Sequence, residues 1–432
     1  MTNGTVSIHT AFIRAIRVVR VLFVSLSYFA CMNPQESFLS KLWNFQFKNV
    51  RSYHKLVLVS VIVGGLIYVI GEVLFALNPL AGGFSISEFF NPTNATFLAQ
   101  EGWKIHFPKI WLGIALLVVV VRFSVIIHSY IRSNQVLGKV AFDRYILTYF
   151  SSFAFAIALA LATMWLLYGS AHLFGVRPTE GANVLRNLVV WMEGITAGIP
   201  TLFNVKSYWL AIILTVILSA LPGYFVHWLT HKSRFFWYVF HRCHHCPEFL
   251  HPLGAPPAFA FEFALVIPSG LVAIATSKLI YTEPLVMEMA LWFTFTYAFE
   301  IFNHSIVHYD FAYRNFIVRN MGRLSGDKGV YHLMHHSAKP NDQTINLGAG
   351  PFLIWDRVFG TYRKPYKEAP PLGLTNTPKI HHNPFRIILS GISQLLFELK
   401  ENKNGLTRLK ILFGPIHYQP PITKEYLILG YS

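Results

Sequence analysis

Stretches of about twenty apolar residues, the length that crosses a bilayer, recur along the chain. They are Leu56–Leu77, Ile110–Ile131, Tyr145–Phe174, Tyr208–Leu229, Phe259–Tyr281 and Leu285–Phe302. The fourth contains Pro222-Gly223, which predicts a bend or an early exit from the membrane. The fifth is interrupted by Pro268-Ser269-Gly270. Only Thr282-Glu283-Pro284 separates it from the sixth, so the two predict a hairpin that enters the membrane and returns. Phe385–Leu399 has apolar residues at helical spacing and predicts a helix lying on the membrane or on the rest of the protein. Ile8–Phe29 mixes Arg14, Arg17 and Arg20 with large apolar residues; an interfacial amphipathic helix and an ordinary cytosolic helix both fit. The pattern predicts an all-α protein, a polytopic membrane bundle. Its segments are residues 1–55 (cytoplasmic, amphipathic), 56–206 (membrane helices), 207–363 (a histidine-rich domain) and 364–432 (a cytoplasmic tail).

Composition agrees with membrane residence. Charged residues make up 13% of the 432, and mean hydropathy is +0.43, where a soluble domain carries about 25% charged residues. The net charge of +16 allows a nucleic-acid partner in principle, but the basic residues flank the apolar stretches and no such partner is expected. Arg14, Arg17, Arg20, Lys41, Lys48, Arg51 and Lys55 precede the first stretch, and Arg132, Lys139 and Arg144 follow the second. The positive-inside rule then places the N-terminus in the cytoplasm. Four crossings and the hairpin return residues 227–336 to that side. Cys31, Cys243 and Cys246 form no disulfide framework. Asn94-Ala95-Thr96 is a glycosylation sequon on a loop predicted to be non-cytoplasmic. Arg122, inside the second stretch, is expected to snorkel, to pair within the bundle or to meet a lipid headgroup.

Chemistry concentrates in four histidine clusters: His227 and His231; His241, His244 and His245; His304 and His308; His332, His335 and His336. Residues three or four apart share a helix face, so each cluster can aim its imidazoles at one point. Neutral imidazole is the commonest metal ligand, and ten suit two ions. The isolated His9, His54, His106, His128, His172, His251, His381, His382 and His417 carry no such pattern and read as ordinary core or surface residues. A hydrolytic zinc pair would normally include bridging carboxylates, and none stands at ligand spacing. Glu300, one turn before His304, either orients an imidazole or forms an ion pair; Asp310 and Asp342 are weaker candidates of the same kind. Phe225, Trp228, Phe235, Phe236, Trp237, Phe302 and Phe316 either line a lipid slot or pack. A non-enzymatic transporter or sensor holding metal is the alternative reading. A transporter would place its ligands mid-membrane, whereas these clusters stand at the ends of apolar stretches or beyond.

Residues 225–245, FVHWLTHKSRFFWYVFHRCHH, and residues 332–363, HLMHHSAKPNDQTINLGAGPFLIWDRVFGTYR, resemble the two halves of the fatty acid hydroxylase and sterol desaturase superfamily. The resemblance covers roughly residues 208–363. Its final segment, NLG through WDRVFGTYR, is specific to that superfamily and is given no metal role of its own. The resemblance implies a pair of iron ions (zinc as an alternative on isolation) facing the cytoplasm. Their ligands would be His227, His231, His241, His244, His245, His304, His308, His332, His335 and His336, with one member of each adjacent pair on each ion. It implies an O2-dependent oxidoreductase that hydroxylates, or desaturates, a sterol, fatty acyl or alkylglycerol lipid. Dioxygen is the co-substrate, and electrons come from another protein, a b-type cytochrome or a ferredoxin with its reductase. A homodimer is compatible with it. The membrane would be the endoplasmic reticulum in a eukaryote or the inner membrane in a bacterium.

Overall fold

The computed structural model describes residues 107–156, 198–252, 272–374 and 383–421, apart from 150, 153, 284, 327 and 349. The first apolar stretch, the N-terminal amphipathic segment, the sequon, much of the third and most of the fifth stretch lie outside these residues. Among those described, the structure is helical without strands; Ser337 and Leu372 form an isolated antiparallel bridge.

Helix α1 spans Phe107–Leu137. Helix α2, Tyr208–Ser219, starts where the Ser207 hydroxyl accepts the Leu210 N–H, which satisfies one of the four free donors of a helix start. Ala220 separates it from α3, Leu221–Lys232, and Pro222 stands in the first turn of α3, where a missing N–H costs nothing. The bend expected at Pro222-Gly223 is therefore a joint between two nearly continuous helices. The α1 segment Leu116–Leu137 and the combined Tyr208–Lys232 are each long and apolar enough to cross a membrane. Only 33% and 22% of their most apolar windows is buried; a soluble core helix would be mostly buried. Leu116, Leu117 and Val120 on α1 and Trp209 and Ile213 on α2 are exposed. The sixth apolar stretch folds as α5, Val286–Glu300, of 15 residues. It is shorter than the roughly twenty that span a bilayer, in keeping with a hairpin that turns back.

The tip of that hairpin is registered on the start of α2. The amides of Leu202 and Phe203 donate to the Leu279 carbonyl and that of Val205 to the Ile280 carbonyl, at 2.9 to 3.1 Å. Ala211, Ile280 and Leu285 pack together there, and the Tyr208 hydroxyl donates to the buried Glu288. From this shared level α2–α3 and α5 run about nineteen residues to His227 and His304, about 28 Å at 1.5 Å per residue. Two histidine clusters distant in sequence thus arrive at the same depth.

Behind them lies an apolar core in which Ile126 of α1, Phe142 and Ile146 of the helical stretch 139–149, Cys243, Ile301 and Ile387 are buried. Burying side chains of this size contributes about 1.5–3 kcal/mol each. Arg122 does not reach a lipid headgroup: it is fully buried and stands 4.0 Å from Glu300.

Of the residues after 363, the helices at 384–413 pack onto the histidine-bearing segment, one of the two resting places expected for Phe385–Leu399. Helix α7, Pro384–Glu401, begins with the Asn383 side chain accepting the Phe385 and Arg386 amides at 2.9 and 3.0 Å. A short turn leads to α8, Gly405–Phe413. Gly391 brings α7 so close to the Tyr238 carbonyl that an added Cβ would lie 2.1 Å from its oxygen. The Arg242 guanidinium donates to the Ser390 hydroxyl at 2.6 Å, and Arg234 pairs with Glu398 in the interior. Removing one partner of such a buried pair costs about 3–5 kcal/mol.

Candidate metal centre

After α3 ends at the extended Ser233, a short turn at Arg234–Phe236 leads into a π-helical turn, Trp237–His241, and then α4, Arg242–His245. The widened turn inserts residues without breaking the helical path, a device common at functional sites. It swings His241 toward the α3 histidines while His244 and His245 follow a turn later. The fourth cluster lies on α6, Val330–His335, and on the next residue, His336. Gly329, with φ of +64°, turns the chain into α6 and donates its N–H to the Asn303 side chain at 2.7 Å. That bond couples α6 to the end of α5 next to His304.

Two groups of imidazoles result. His227, His231, His241 and His335 present ring nitrogens all within 4.8 Å of one another, and so do His244, His304, His332 and His336. In the first, His227 Nε2 lies 3.1 Å from His241 Nε2. In the second, His332 Nε2 lies 3.2, 3.4 and 3.0 Å from the Nε2 atoms of His304, His244 and His336. His245 stands at the junction. Its Nε2 is 3.0 Å from that of His241 and 3.1 Å from that of His335, and its ring stacks on His336 at 4.3 Å. The adjacent His335 and His336 fall in different groups.

Hydrogen bonding alone does not account for this convergence. His227 Nδ1 donates to the Leu347 carbonyl at 2.5 Å and His335 Nδ1 to the Ile345 carbonyl at 2.9 Å. A neutral imidazole carries one N–H, so the inward Nε2 atoms of both are lone pairs. His231 Nε2 is buried with no hydrogen-bond partner. Inward-facing imidazole nitrogens can donate lone pairs to a metal ion, and each group could hold one. Burial, with the neighbouring imidazoles second, holds His241, His245, His332 and His336 well below the usual histidine range, so all four are neutral at physiological pH, the form that binds metal.

His308 is in neither group. The expectation that it follows His304 on one helix face fails at Ser305, whose φ of −117° and ψ of 80° separate two 3-10 turns, Ile301–His304 and Ile306–His308. Its ring turns toward α1 instead. Nε2 lies 2.7 Å from His128 Nδ1, and Nδ1 2.6 Å from the Ser305 hydroxyl. His128, read from sequence as an isolated residue, is thus its partner. His251 keeps the core reading, buried with its ring edge-on to Phe142.

The carboxylates have structural partners. Glu300 stands near Arg122 and Lys328 rather than an imidazole. Asp310 pairs with Arg314 in the open. Asp342 accepts from Ser337, Arg363 and Tyr366. Cys246 donates its thiol to the Arg242 carbonyl at 3.1 Å, burial pushes its pKa up to about 12, and it stands in neither imidazole group. Of the aromatic residues proposed for a slot, Trp237 lies against the rings of His231, His245 and His241 at 5.2 to 5.9 Å. Phe225, Trp228 and Phe316 face outward, and Phe235 and Phe236 pack on Phe240.

The superfamily-specific segment does take part in the centre. Leu347 and Ile345, whose carbonyls hold two of the histidines, lie in it or beside it. Sequence reading missed them because any residue supplies a backbone carbonyl. The signal that could have led there is Asp356, a buried carboxylate inside the motif.

Among the described residues, helices without strands, two of them long and apolar enough to cross a membrane, carry two imidazole groups that could hold metal: the class is a histidine-rich helical protein. Within it, residues 212–361 match the family model described as Fatty acid hydroxylase, and this domain belongs to the fatty acid hydroxylase and sterol desaturase superfamily. The family implies an enzyme of the oxygenase or oxidoreductase type and suggests a lipid hydroxylase or desaturase. No curated protein and no solved structure matches the chain.

Proposed function

We propose that this chain is an integral-membrane oxygenase that hydroxylates a C–H bond of a lipid at a pair of iron ions. One observation carries the reading: four histidines converge on one point and four on a neighbouring one, with the adjacent His335 and His336 divided between them. Structural zinc is usually held by four ligands that include cysteine; an all-imidazole set for two ions leaves each with high net charge and suits iron. When bound, ferrous iron supplies the activation of dioxygen that an unreactive C–H bond demands. Overall, R–H, O2, two electrons and two protons give R–OH and water. The electrons come from a separate donor protein, a b-type cytochrome or a ferredoxin with its reductase.

The chain's own residues provide the rest. His227 and His335 keep their protons on Nδ1 and present Nε2 inward. Trp237 covers one wall of the first group and limits water there. The exposed apolar faces of α1 and α2 support residence among lipid tails, so a substrate chain dissolved in the same bilayer can reach the site sideways. The basic residues beside the apolar stretches support a cytoplasmic site.

The test uses the full chain purified in detergent, loaded anaerobically with ferrous iron, and supplied with a reducing system and total membrane lipid. Mass spectrometry is expected to find a lipid heavier by one oxygen. A lipid lighter by two hydrogens would instead mark a desaturase. Iron-loaded protein that consumes no oxygen with any lipid overturns the proposal.

A further inference from the structure

We infer that Asp356 is a positioning residue for one of the two metal positions, the one formed by His227, His231, His241 and His335. The inference rests on the two-ion reading above and adds to it the residue that orients the ligands of one ion. Asp356 is fully buried in the short helix Ile354–Val358. Its Oδ1 accepts the Leu347 N–H at 2.6 Å and the Thr361 hydroxyl at 2.7 Å, and its Oδ2 accepts the Gly348 N–H at 3.0 Å. The carbonyl of the same Leu347 receives the His227 Nδ1 proton, and that of Ile345, two residues earlier, receives the His335 Nδ1 proton. A single carboxylate therefore holds the loop that fixes two imidazoles, and both belong to the same group.

The loop needs holding. Asn346 has φ of +47° and Gly348 φ of +78°, and a non-glycine residue in the left-handed region costs about 1–3 kcal/mol unless its surroundings enforce it. The motif downstream supplies the enforcement. The Thr361 carbonyl accepts the Asn346 N–H at 2.9 Å, and the Asn346 side chain accepts the Arg363 N–H at 2.8 Å. Trp355 Nε1 donates to the Ile217 carbonyl of α2 at 2.8 Å, which registers this bracket against the helix pair that carries His227. Residues 355–363 thus act as a brace whose output is the tautomer and aim of two imidazoles. An N–H held by a carbonyl also raises the basicity of the opposite nitrogen, and removing such outer partners typically weakens metal binding 10–100-fold.

Asp356→Asn keeps the shape but puts an NH2 where one of the three donors must be received. Cobalt(II) titration of the full chain in detergent, followed by ligand-field absorption, reads the two positions separately. The wild type is expected to bind two ions. In D356N one position should keep its wild-type affinity and the other should weaken by about 10- to 100-fold, with the band of the retained ion unchanged. Thr361→Val, which removes a single donor to the carboxylate and leaves the backbone bonds, should weaken the same position by less; it carries the test if D356N does not fold. Unchanged affinity at both positions, or equal weakening at both, overturns the inference. A wild type that binds no metal overturns the two-ion reading beneath it, and the inference with it.

Discussion

A histidine becomes a ligand through what holds its outer nitrogen as much as through its place in the sequence. His335 faces inward with its Nδ1 proton on the Ile345 carbonyl, whereas His308 is bonded to His128 and Ser305, away from both groups. His335→Ala is therefore expected to lose about one bound ion per chain and to cut turnover more than about 100-fold, beyond the loss seen when an outer partner alone is removed. His308→Ala is expected to retain two ions. Elemental analysis of the purified variants checks both, and loss of metal from H308A would return that residue to the ligand set. The grouping was legible in part: four-residue spacing brings His227 to His231 and His332 to His336, whereas the three-residue pairs His241/His244 and His332/His335 divide between the groups. His308 leaves the face expected for it because the chain breaks at Ser305, where the helix stops. The carbonyls of Ile345 and Leu347 carry no signal of their own, since every residue has one; only Asp356 within the motif pointed toward them.

Among the elements, α7 illustrates how local pattern and tertiary role diverge. Its helical spacing was plain in the sequence, and two resting places fitted it, membrane or protein. Gly391 decides for protein by allowing contact with the Tyr238 carbonyl in the π turn that ends at His241. Gly391→Ala places a methyl group 2.1 Å from that oxygen, so α7 must withdraw. Overpacking of this kind costs about 1–3 kcal/mol. The variant is expected to melt lower than wild type and to bind metal more weakly through displacement of His241; differential scanning fluorimetry with and without metal measures both. An unchanged melting temperature would mean that the helix shifts freely. The apolar stretch at 285–302 shows the converse: its composition predicted a span, while α5 is shortened by the hairpin turn and by the 3-10 turn that carries His304.

At the scale of the whole molecule, the buried imidazoles make stability depend on pH in a known direction. Burial pushes His251 down to about 3 and, with His128 second, His308 down to about 4; His241, His245, His332 and His336 are held low as well. The unfolded chain, with histidines near 6.5, binds more protons than the folded chain below that pH. Stability is thus fully present above about pH 6.5 and falls as the pH drops toward the folded values. His251 alone removes about 2 kcal/mol between pH 6.5 and 5, at 1.36 kcal/mol per unit. Thermal unfolding of the metal-free chain at a series of pH values should show this decline, and a flat profile would contradict it. The helical class was readable from the apolar stretches; the contribution of residues 384–413 was not, because it depends on contacts that carry no periodic signal. That contribution has a consequence for biosynthesis. A growing chain has exposed every grouped histidine once His336 emerges, yet the helix that seats the His241 turn is made some fifty residues later. A nascent chain stalled before α7 would offer the cell's metal pool only a half-walled pocket.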